Sequence, residues 1–388
     1  MYPSSSKLKI VVLGYIVRGP LGGLVWHHLQ YVIALKKMGH EVLFLEDSDD
    51  FPGCYNPETY ELGEDPTYGI TFLKNVFTKF DLQNNWAYID AHTATWHGKS
   101  KQEVFAFCTT ADIVLNVSAV NPLREWWAAI PCRVLIDTDP AFTQIRHLTN
   151  EKDFAVAKQH TAFFSFGENI GKPGCTIPVD GLNWKPTRQP VVMDVWKEAE
   201  TEGDGKWTTV MQWDSYKVQQ YDDKVFGMKS MSFHEFENLP SLVPYENFEI
   251  ALGSTTAPVN ELKANGWDIV SSLIPTKTPW TYQEYIRQSK GEWSIAKHGY
   301  VASNSGWFSE RTACYLASGK PVVVQDTGFS TIFETGEGLF VFNTIEQAVE
   351  GINSINKDYK YQCKAARNFV EENFAAQEVL KHLLNRIF

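Results

Sequence analysis

Long apolar runs and clustered cysteines are both missing from this chain of 388 residues. It contains no stretch of 18 apolar residues, and its N-terminus lacks an apolar run followed by a small-residue cleavage site, so neither a membrane span nor a signal segment is expected. The six cysteines lie far apart, without a Cys-x-x-Cys pair or a Cys/His cluster, which argues against a disulfide framework and against a zinc site. We therefore expect a soluble cytoplasmic protein with reduced thiols.

An excess of positive charge is also missing. Lys and Arg total 35 against 46 Asp and Glu, a formal net charge of -11, which argues against a nonspecific nucleic-acid or anionic-membrane surface. With 388 residues, the chain is longer than the size at which a single hydrophobic core usually stops growing. Its hydrophobic content of 44% is sufficient for more than one core. Two domains are therefore expected.

The first 50 residues predict a β-α-β unit of a parallel sheet. An apolar strand at 7–13 runs into a glycine-rich turn, a helix is predicted at 24–38, and a second strand follows at 41–45. The turn does not match the dinucleotide fingerprint Gly-x-Gly-x-x-Gly, which counts against a dehydrogenase, because its glycines have a different spacing: Gly14, Gly19, Gly22 and Gly23. We expect the turn-rich segment between Asp50 and Ala91 to be an insertion with one helix at 68–80.

Two carboxylates follow an apolar strand predicted at 133–136. Because residues at the carboxyl end of a parallel strand face the ligand crevice, Asp139 is our first candidate for a general base, with Asp137 as a further candidate. Either side chain could instead cap the following turn and hold the loop. After a further strand, the composition changes to Pro, Gly and charged residues at 171–205, which is the best domain boundary in the chain.

The stretch 303–330 has the clearest local pattern. Ser309 suits a helix N-cap, Gly319 suits the left-handed position after the helix, and Pro321 prevents the helix from continuing. A buried strand is predicted at 321–324, with a polar loop at its carboxyl end. Unpaired N–H groups at the helix start, the helix dipole and the guanidinium of Arg311 together favour an anion such as a diphosphate.

These residues resemble the donor-binding segment of nucleotide-sugar glycosyltransferases of the GT-B fold, in which a short helix leads into Gly-x-Pro-Val-Val and a loop under the sugar. The glycine pair of the first turn, followed by Gly39-His40-Glu41-Val42, resembles the opening of the family-4 type. The resemblance is partial, since that type has acidic residues at the positions of Gly306 and Cys314. Glu310 is a possible substitute for one of them.

The resemblance implies an α/β fold with two doubly wound, Rossmann-like parallel-sheet domains that face a cleft. Residues 1–190 would form an acceptor-side domain and residues 191–370 a nucleotide-sugar-binding domain. The last helix, in 371–388, would cross back to the first domain. The implied activity is metal-independent transfer of a sugar from a nucleotide-diphosphate donor, with no cofactor besides that co-substrate, to a small-molecule or glycan acceptor. A nucleic-acid partner is not expected.

The resemblance also implies roles for individual residues. The start of the helix (Ser309, Glu310, Arg311), with Lys229 or Lys297, would stabilise the departing diphosphate, and Trp293 would stack on the donor base. The donor-site candidates are Gly22, Gly23, Trp213, Lys229, Trp293, Lys297, His298, Ser309, Glu310, Arg311, Asp326, Thr327 and Gly328. If transfer inverts the anomeric centre, Asp139, His27 or His28 would act as base. Asp137-Thr138-Asp139 matches the Asp-x-Asp motif with which other glycosyltransferases bind a metal ion, but we expect no metal here.

Three alternatives remain open at this point: a noncatalytic nucleotide-sugar binding protein, an epimerase or phosphorylase of the same fold, and an enzyme that glycosylates a modified base in DNA.

Overall fold

The computed structural model describes residues 7–49, 53–199 and 203–387. In chain order the strands are β1 (Lys9–Leu13), β2 (Glu41–Asp47), β3 (Cys54–Asn56), β4 (Glu61–Gly63), β5 (Trp86–Asp90), β6 (Thr95–Gly98), β7 (Ile113–Val117), β8 (Cys132–Asp137), β9 (Ala162–Ser165), β10 (Trp184–Pro186), β11 (Trp207–Met211), β12 (Gln219–Tyr221), β13 (Lys224–Phe226), β14 (Phe248–Leu252), β15 (Trp267–Ser271), β16 (Gly291–Ser294), β17 (Val322–Gln325) and β18 (Leu339–Phe342).

The helices are α1 (Gly22–Lys37), α2 (Thr67–Thr78), α3 (Lys101–Cys108), α4 (Phe142–Thr149), α5 (Glu151–Ala157), α6 (Lys229–Phe233), α7 (Leu239–Leu242), α8 (Val259–Ala264), α9 (Leu273–Thr276), α10 (Pro279–Gln288), α11 (His298–Ala302), α12 (Glu310–Ala317), α13 (Ile345–Lys357), α14 (Tyr359–Phe374) and α15 (Ala376–Ile387). Short 3-10 helices occur at Glu125–Ala129, His234–Phe236 and Phe329–Thr331.

The first half of the chain forms a sheet with the strand order β10-β9-β8-β7-β1-β2-β5-β6. Its strands run parallel except β6, which is antiparallel to β5. Strand β1 is buried on both sides because its residues alternate: Ile10 and Val12 belong to the core that contains α1, whereas Val11 and Leu13 belong to the core that contains α3. Burial on both faces explains why the strand is apolar throughout.

The segment predicted to be an insertion contributes a strand to the first sheet instead. Trp86–Asp90 pairs in parallel with β2 and lies next to the edge strand β6, so the insertion assignment is wrong for this part. The helix predicted at 68–80 is present as α2. Residues 50–52 of the segment lie outside the described residues.

The second half forms a sheet of parallel strands in the order β15-β14-β11-β16-β17-β18. Its core is rich in tryptophan, with Trp207, Trp267 and Trp293 all buried. Helices cover both sheets, and strands alternate with helices along the chain as in doubly wound folds. The predicted fold class, with two doubly wound parallel sheets, is confirmed.

The last helix lies against the first sheet. The N–H of Ala376 donates to the carbonyl of Val191 (2.9 Å), and Arg386 exchanges hydrogen bonds with the β10 region through Lys185 (2.8 Å) and Pro186 (2.8 Å). The sheets themselves are separated in sequence by the interval from Pro186 to Trp207. The domain limits at 190 and 370 stay a prediction. Each helix within the described residues is too short or too polar to span a bilayer.

Each sheet has a point where the strand order reverses, and ligands of such sheets bind there, outside the carboxyl ends of the strands. In the first sheet this point lies between β1 and β7, and in the second between β11 and β16. Side chains that follow strands near these points meet across one cleft: Asp139 follows β8, the neighbour of β7, and pairs with Lys297, which follows β16 (2.9 Å). The candidate site is therefore in this cleft.

Candidate active site

A pocket lies at the carboxyl ends of β16 and β17, beside the first turn of α12. The sequence-predicted donor residues Ser309, Arg311 and Thr327 contribute to its wall. Its other lining residues are Ser294, Ile295, Ala296, Trp307, Phe308, Thr312, Val324, Gln325 and Phe329. The structure therefore brings the predicted helix start and the predicted loop together around one space.

The first turn of α12 faces this pocket with unsatisfied donors. Ser309 is the N-cap by backbone geometry, but its side chain makes no capping hydrogen bond. The first N–H groups of a helix have no intrahelical acceptor, and together with the helix dipole they favour a bound anion. The helix ends as predicted, because Gly319 adopts a left-handed φ of +70°.

Arg311 does not offer a free guanidinium to the pocket. Its Nε donates to Glu292 (2.5 Å), one terminal nitrogen donates to the carbonyl of Val210 (2.6 Å), and the other donates to Ser294 Oγ (2.5 Å). These hydrogen bonds use three of its five N–H groups, and the predicted phosphate contact of Arg311 stays a prediction. Arg311 fixes α12 to β11 and β16, and its positive charge lies at the pocket wall.

Lys229 lies at the start of α6. Its ammonium makes no hydrogen bond or ion pair to the described residues, although the side chain is only partly exposed. Burial holds the pKa of Lys229 well below its usual value, and the nearby charges of Arg311 and Lys297 lower it further, against the opposing effect of Glu292. A lysine that lies near other cations and is not paired with a carboxylate is suited to bind an anionic ligand.

Asp139 lies at the centre of a polar cluster that joins the two halves of the chain. Lys297 Nζ donates to its Oδ1 (2.9 Å), Tyr216 donates to its Oδ2 (2.5 Å), and the Tyr300 hydroxyl donates as well. The Lys297 ammonium also lies over the rings of Phe142 (5.1 Å), Tyr216 (4.4 Å) and Tyr300 (5.3 Å). Burial alone would raise the pKa of Asp139, but Lys297 and the two tyrosines lower it overall. A carboxylate so strongly held is a poor proton acceptor, which counts against its predicted role as base.

Asp137 has a structural role in the loop. It is buried, and it accepts hydrogen bonds from Thr143 (2.7 Å), Ser165 (2.7 Å), Gln144 (3.1 Å) and the N–H of Asp139 (2.9 Å). Burial raises the pKa of Asp137 in spite of these hydrogen bonds, which act in the opposite direction. Asp137 cannot reach a ligand, so the catalytic role proposed for it from sequence is wrong.

His27, in the second turn of α1, takes part in a chain of hydrogen bonds across the cleft. Its Nδ1 lies 2.5 Å from Glu310 Oε2, and its Nε2 lies 3.0 Å from Ser118 Oγ. Ser118 Oγ in turn lies 2.7 Å from Thr138 Oγ1. Glu310 is the first residue of α12, so this chain connects the donor-side helix with the carboxyl ends of β7 and β8.

Two predicted donor-site tryptophans belong to the core. Trp293 is 1% exposed and stacks on Phe342 with the ring planes 4° apart, so its predicted stacking on a donor base is wrong. Trp213 is also buried, against Phe233. His298 accepts a hydrogen bond from the N–H of Gly227 (3.3 Å), and burial lowers the pKa of its imidazole.

The glycine pair of the first turn contacts protein rather than open space. A Cβ at Gly22 would lie 2.4 Å from the carbonyl oxygen of Thr278, and one at Gly23 would lie 3.2 Å from the ring of Tyr282. Glycine is therefore needed so that α1 can approach α10 from the second half of the chain. The described structure thus has a closed cleft at this point.

The loop after β17 is organised by its own residues. Asp326 accepts from the N–H of Gly328 (2.8 Å), and Thr327 donates to the carbonyl of Trp307 (2.6 Å). Gly328 has a φ of +93°, and a Cβ there would lie 1.8 Å from Asn304 Oδ1. Asp326 and Gly328 therefore shape the loop, and Thr327 lines the pocket.

Sequence reasoning missed four residues of this site: Glu292, Tyr216, Tyr300 and Ser118. A signal existed for Glu292, because a charged residue within a buried strand needs a charged partner. Ser118 follows a strand, as candidate residues in such folds do, and it has an unusual φ of +65°. The two tyrosines had no distinguishing local signal.

Comparison with solved structures gives matches over nearly the whole chain to GT-B glycosyltransferases. An alpha-glucosyltransferase in complex with UDP-glucose and DNA containing an abasic site is 12% identical, with 98% of this chain and 100% of that chain covered and a TM-score of 0.59. The Anabaena protein HepE, in complex with UDP and glucose, is 11% identical, with coverages of 98% and 99% and a TM-score of 0.56.

AviGT4, a glycosyltransferase involved in avilamycin A biosynthesis, is 11% identical, with coverages of 98% and 97% and a TM-score of 0.56. Neither the models of known protein families nor the curated proteins gave a match to this chain. The GT-B fold that the sequence resemblance implied is confirmed.

Proposed function

We propose that this protein transfers a sugar from a nucleotide-diphosphate donor to a hydroxyl acceptor, without a metal ion. The observation that carries the proposal is the pocket beside α12, whose wall contains the start of the helix and Arg311, with the charge of Lys229 acting on Arg311. Preorganised donors of this kind stabilise the charge that develops on a leaving diphosphate. Similar structures that contain UDP or UDP-glucose support a nucleotide sugar as ligand.

Metal independence is part of the proposal, and the site offers its own cations. Lys229 and Lys297 lie near each other, with the positive charge of Arg311 beside them. The Asp137-Thr138-Asp139 motif does not suit a metal ion, because its carboxylate oxygens already accept hydrogen bonds. Those of Asp137 accept from neighbouring side chains, and those of Asp139 accept from Lys297 and two tyrosines. We expect EDTA to leave donor binding and turnover unchanged. Loss of turnover in EDTA that Mg²⁺ restores would contradict this part.

The direct test is binding by the Lys229→Met variant. We expect Lys229→Met to weaken binding of the preferred nucleotide sugar about 10- to 100-fold, since one charge-assisted contact to phosphate contributes about 1.5–3 kcal/mol. The measurement is a thermal-shift titration with UDP-, GDP-, dTDP- and ADP-sugars. Lys224→Met is the matched control, because Lys224 lies five residues away and is exposed. Equal affinities for both variants would remove Lys229 from the donor site.

Donor binding should also take up protons. Because burial and the neighbouring cations lower the pKa of Lys229, a diphosphate beside the amine would raise that pKa and favour the protonated form. Affinity should therefore rise as the pH is lowered through the pKa of Lys229. Calorimetric titrations in buffers of different ionisation enthalpy measure the uptake, which should disappear in Lys229→Met and persist in Lys224→Met. Proton release, or no exchange, would contradict the lowered pKa.

DNA is a second candidate acceptor, favoured by one observation: three of the similar structures are complexes with DNA. The net charge of -11 argues against it, since phosphate contacts dominate the affinity of DNA-binding proteins. An electrophoretic mobility shift with a 13-mer duplex at low salt distinguishes a DNA acceptor from an acceptor that is not DNA.

A noncatalytic nucleotide-sugar binding protein would bind donor but show no turnover with any acceptor.

A further inference from the structure

The pocket beside α12 is bounded by two loops that both belong to the second half of the chain. One loop, 304–309, leads from α11 into α12, and the other, 326–330, follows β17. The loops are joined directly: the N–H of Gly306 donates to the carbonyl of Thr327 (2.8 Å), and the Thr327 hydroxyl donates to the carbonyl of Trp307 (2.6 Å). Because Thr327 and Trp307 both line the pocket, the relative position of the two loops determines its shape.

Asn169, from the first half of the chain, bonds to both loops. It follows β9, and its backbone N–H donates to the carbonyl of Ser305 (3.1 Å). Its side-chain Nδ2 donates to the carbonyls of Asn304 (3.2 Å) and Gly328 (3.0 Å). Both of these neighbours are carbonyl oxygens, so the nitrogen of the amide, and not its oxygen, must face them. One side chain from across the cleft thus holds together the two loops that bound the pocket.

The backbone around Asn169 leaves room for this side chain. Asn169 is 4% exposed, and a Cβ at either Gly306 or Gly328 would lie 2.9 Å from one of its amide atoms. Both glycines also have left-handed φ values, +71° and +93°, which residues with a side chain rarely adopt. The two loops therefore turn at the points where they contact Asn169.

The hydrogen-bond donors of the amide account for the presence of Asn169 in this contact. Its Oδ1 is buried and has no hydrogen-bond partner among the described residues. A buried acceptor without a partner destabilises the folded protein, so the oxygen gives no reason for an amide here. The nitrogen does, because its two N–H groups have acceptors in two different loops.

We infer that Asn169 is a positioning residue for the donor: from the first half of the chain, it holds the two loops in the arrangement that binds a nucleotide sugar. The inference rests on the proposed function. Asn169 acts through Thr327 and Trp307, since its own side chain is not among those that line the pocket. Without its two side-chain hydrogen bonds, the donor itself would have to order the loops, at the expense of affinity. These bonds do not involve Asp139, whose cluster joins the two halves separately.

The test compares the donor affinities of two variants at Asn169. The donor is the UDP-, GDP-, dTDP- or ADP-sugar that gives the largest thermal shift with the wild type, and its Kd is measured by calorimetry. Asn169→Ala should weaken binding about 10- to 100-fold, as expected when two ordinary hydrogen bonds are lost. Asn169→Asp keeps the size of the side chain but has no N–H group to donate, so it should weaken binding at least as much.

Steady-state kinetics separate positioning of the donor from a purely structural role. With water as the acceptor, release of the nucleoside diphosphate gives kcat and KM for the donor. In Asn169→Ala, KM should rise with Kd while kcat stays within about threefold, because saturating donor orders the loops again. A variant that had merely unfolded in part would instead lose kcat, since the folded remainder would bind the donor normally. A lower kcat at unchanged KM would therefore overturn the inference.

Thr176→Val is the matched control, at a second contact between the two halves. The N–H of Thr176 donates to the carbonyl of Ser303 (2.8 Å), and its hydroxyl donates to the carbonyl of Ala302 (3.4 Å), at the end of α11 and outside both loops. This variant should keep the wild-type Kd within about twofold, and equal weakening in Thr176→Val would overturn the role of Asn169. Wild-type affinity in Asn169→Ala or Asn169→Asp would overturn the inference alone, whereas failure of every nucleotide sugar to bind the wild type would overturn the proposed function as well.

Discussion

Replacing Arg311 with Met should lower the free energy of unfolding by about 3–5 kcal/mol, the usual cost of removing one partner from a buried ion pair. Glu292 is fully buried, and its only charged partner among the described residues is the guanidinium of Arg311 (2.5 Å). Its second carboxylate oxygen has no hydrogen-bond partner. The variant would leave an uncompensated charge inside the second sheet, next to the pocket.

Urea denaturation of the wild type and three variants checks this expectation. Arg311→Met should be strongly destabilised, and the double variant with Glu292→Met should regain most of the loss, because two apolar side chains replace two charges. Arg287→Met is the matched control: its contact with Glu284 is long (3.8 Å) and exposed, so a change below about 0.5 kcal/mol is expected. A loss of less than about 1 kcal/mol for Arg311→Met would show that the pair is not desolvated.

This result determines how the donor site should be tested. A loss of nucleotide binding in an Arg311 variant would not identify a phosphate contact, because the same change would disturb the position of α12. The Lys229 ammonium has no hydrogen-bond or ion-pair partner among the described residues, so its removal breaks no such bond within the protein. Binding data on Lys229 are therefore easier to interpret than binding data on Arg311.

Much of the fold could be predicted because its signals are local. The end of α12 follows from Gly319 and Pro321, and the alternation of strands and helices follows from apolar patterns that each segment contains. Strand β5 was missed for the opposite reason. Trp86–Asp90 is five residues long and follows a turn-rich segment, and only its pairing with β2, some 40 residues earlier in the chain, makes it part of the sheet.

The site was predictable in position but not in detail. Polar residues after strands did mark the cleft, since Asp139, Lys297 and Thr327 all lie there. Whether such a side chain faces a ligand or another residue depends on partners far away in sequence. Asp139 and Lys297 are separated by 158 positions, and no local pattern shows that they form a pair. The same applies to Trp293, whose surroundings are supplied by other strands and helices.

Replacing Asp139 with Asn should lower the free energy of unfolding by about 3 kcal/mol at neutral pH, near the lower end of the range for a broken buried pair. The cost is expected at the lower end because Lys297 keeps its contacts with three aromatic rings, which stabilise a cation by roughly 0.5–1 kcal/mol each. Asp223→Asn, in an exposed turn, is the control and should change stability by less than about 0.5 kcal/mol.

The same variant should alter the dependence of stability on pH. The pKa of Asp139 is lower in the folded protein than in the unfolded chain, so its stabilising effect is present above the unfolded value, about 3.9, and is lost as the pH falls through the folded value. Denaturation of the wild type should therefore become easier in that acidic range, and Asp139→Asn should show a smaller change there. Equal slopes for both proteins would contradict the lowered pKa.

The position of this cluster connects stability with transfer. Asp139 belongs to the first sheet, whereas Lys297, Tyr216 and Tyr300 belong to the second half of the chain, so their contacts favour the closed cleft. The contact between His27 and Glu310 requires the same closure. Asp139→Asn should therefore lower kcat more than donor affinity, because the pocket beside α12 is built from the second half alone while transfer requires the closed cleft.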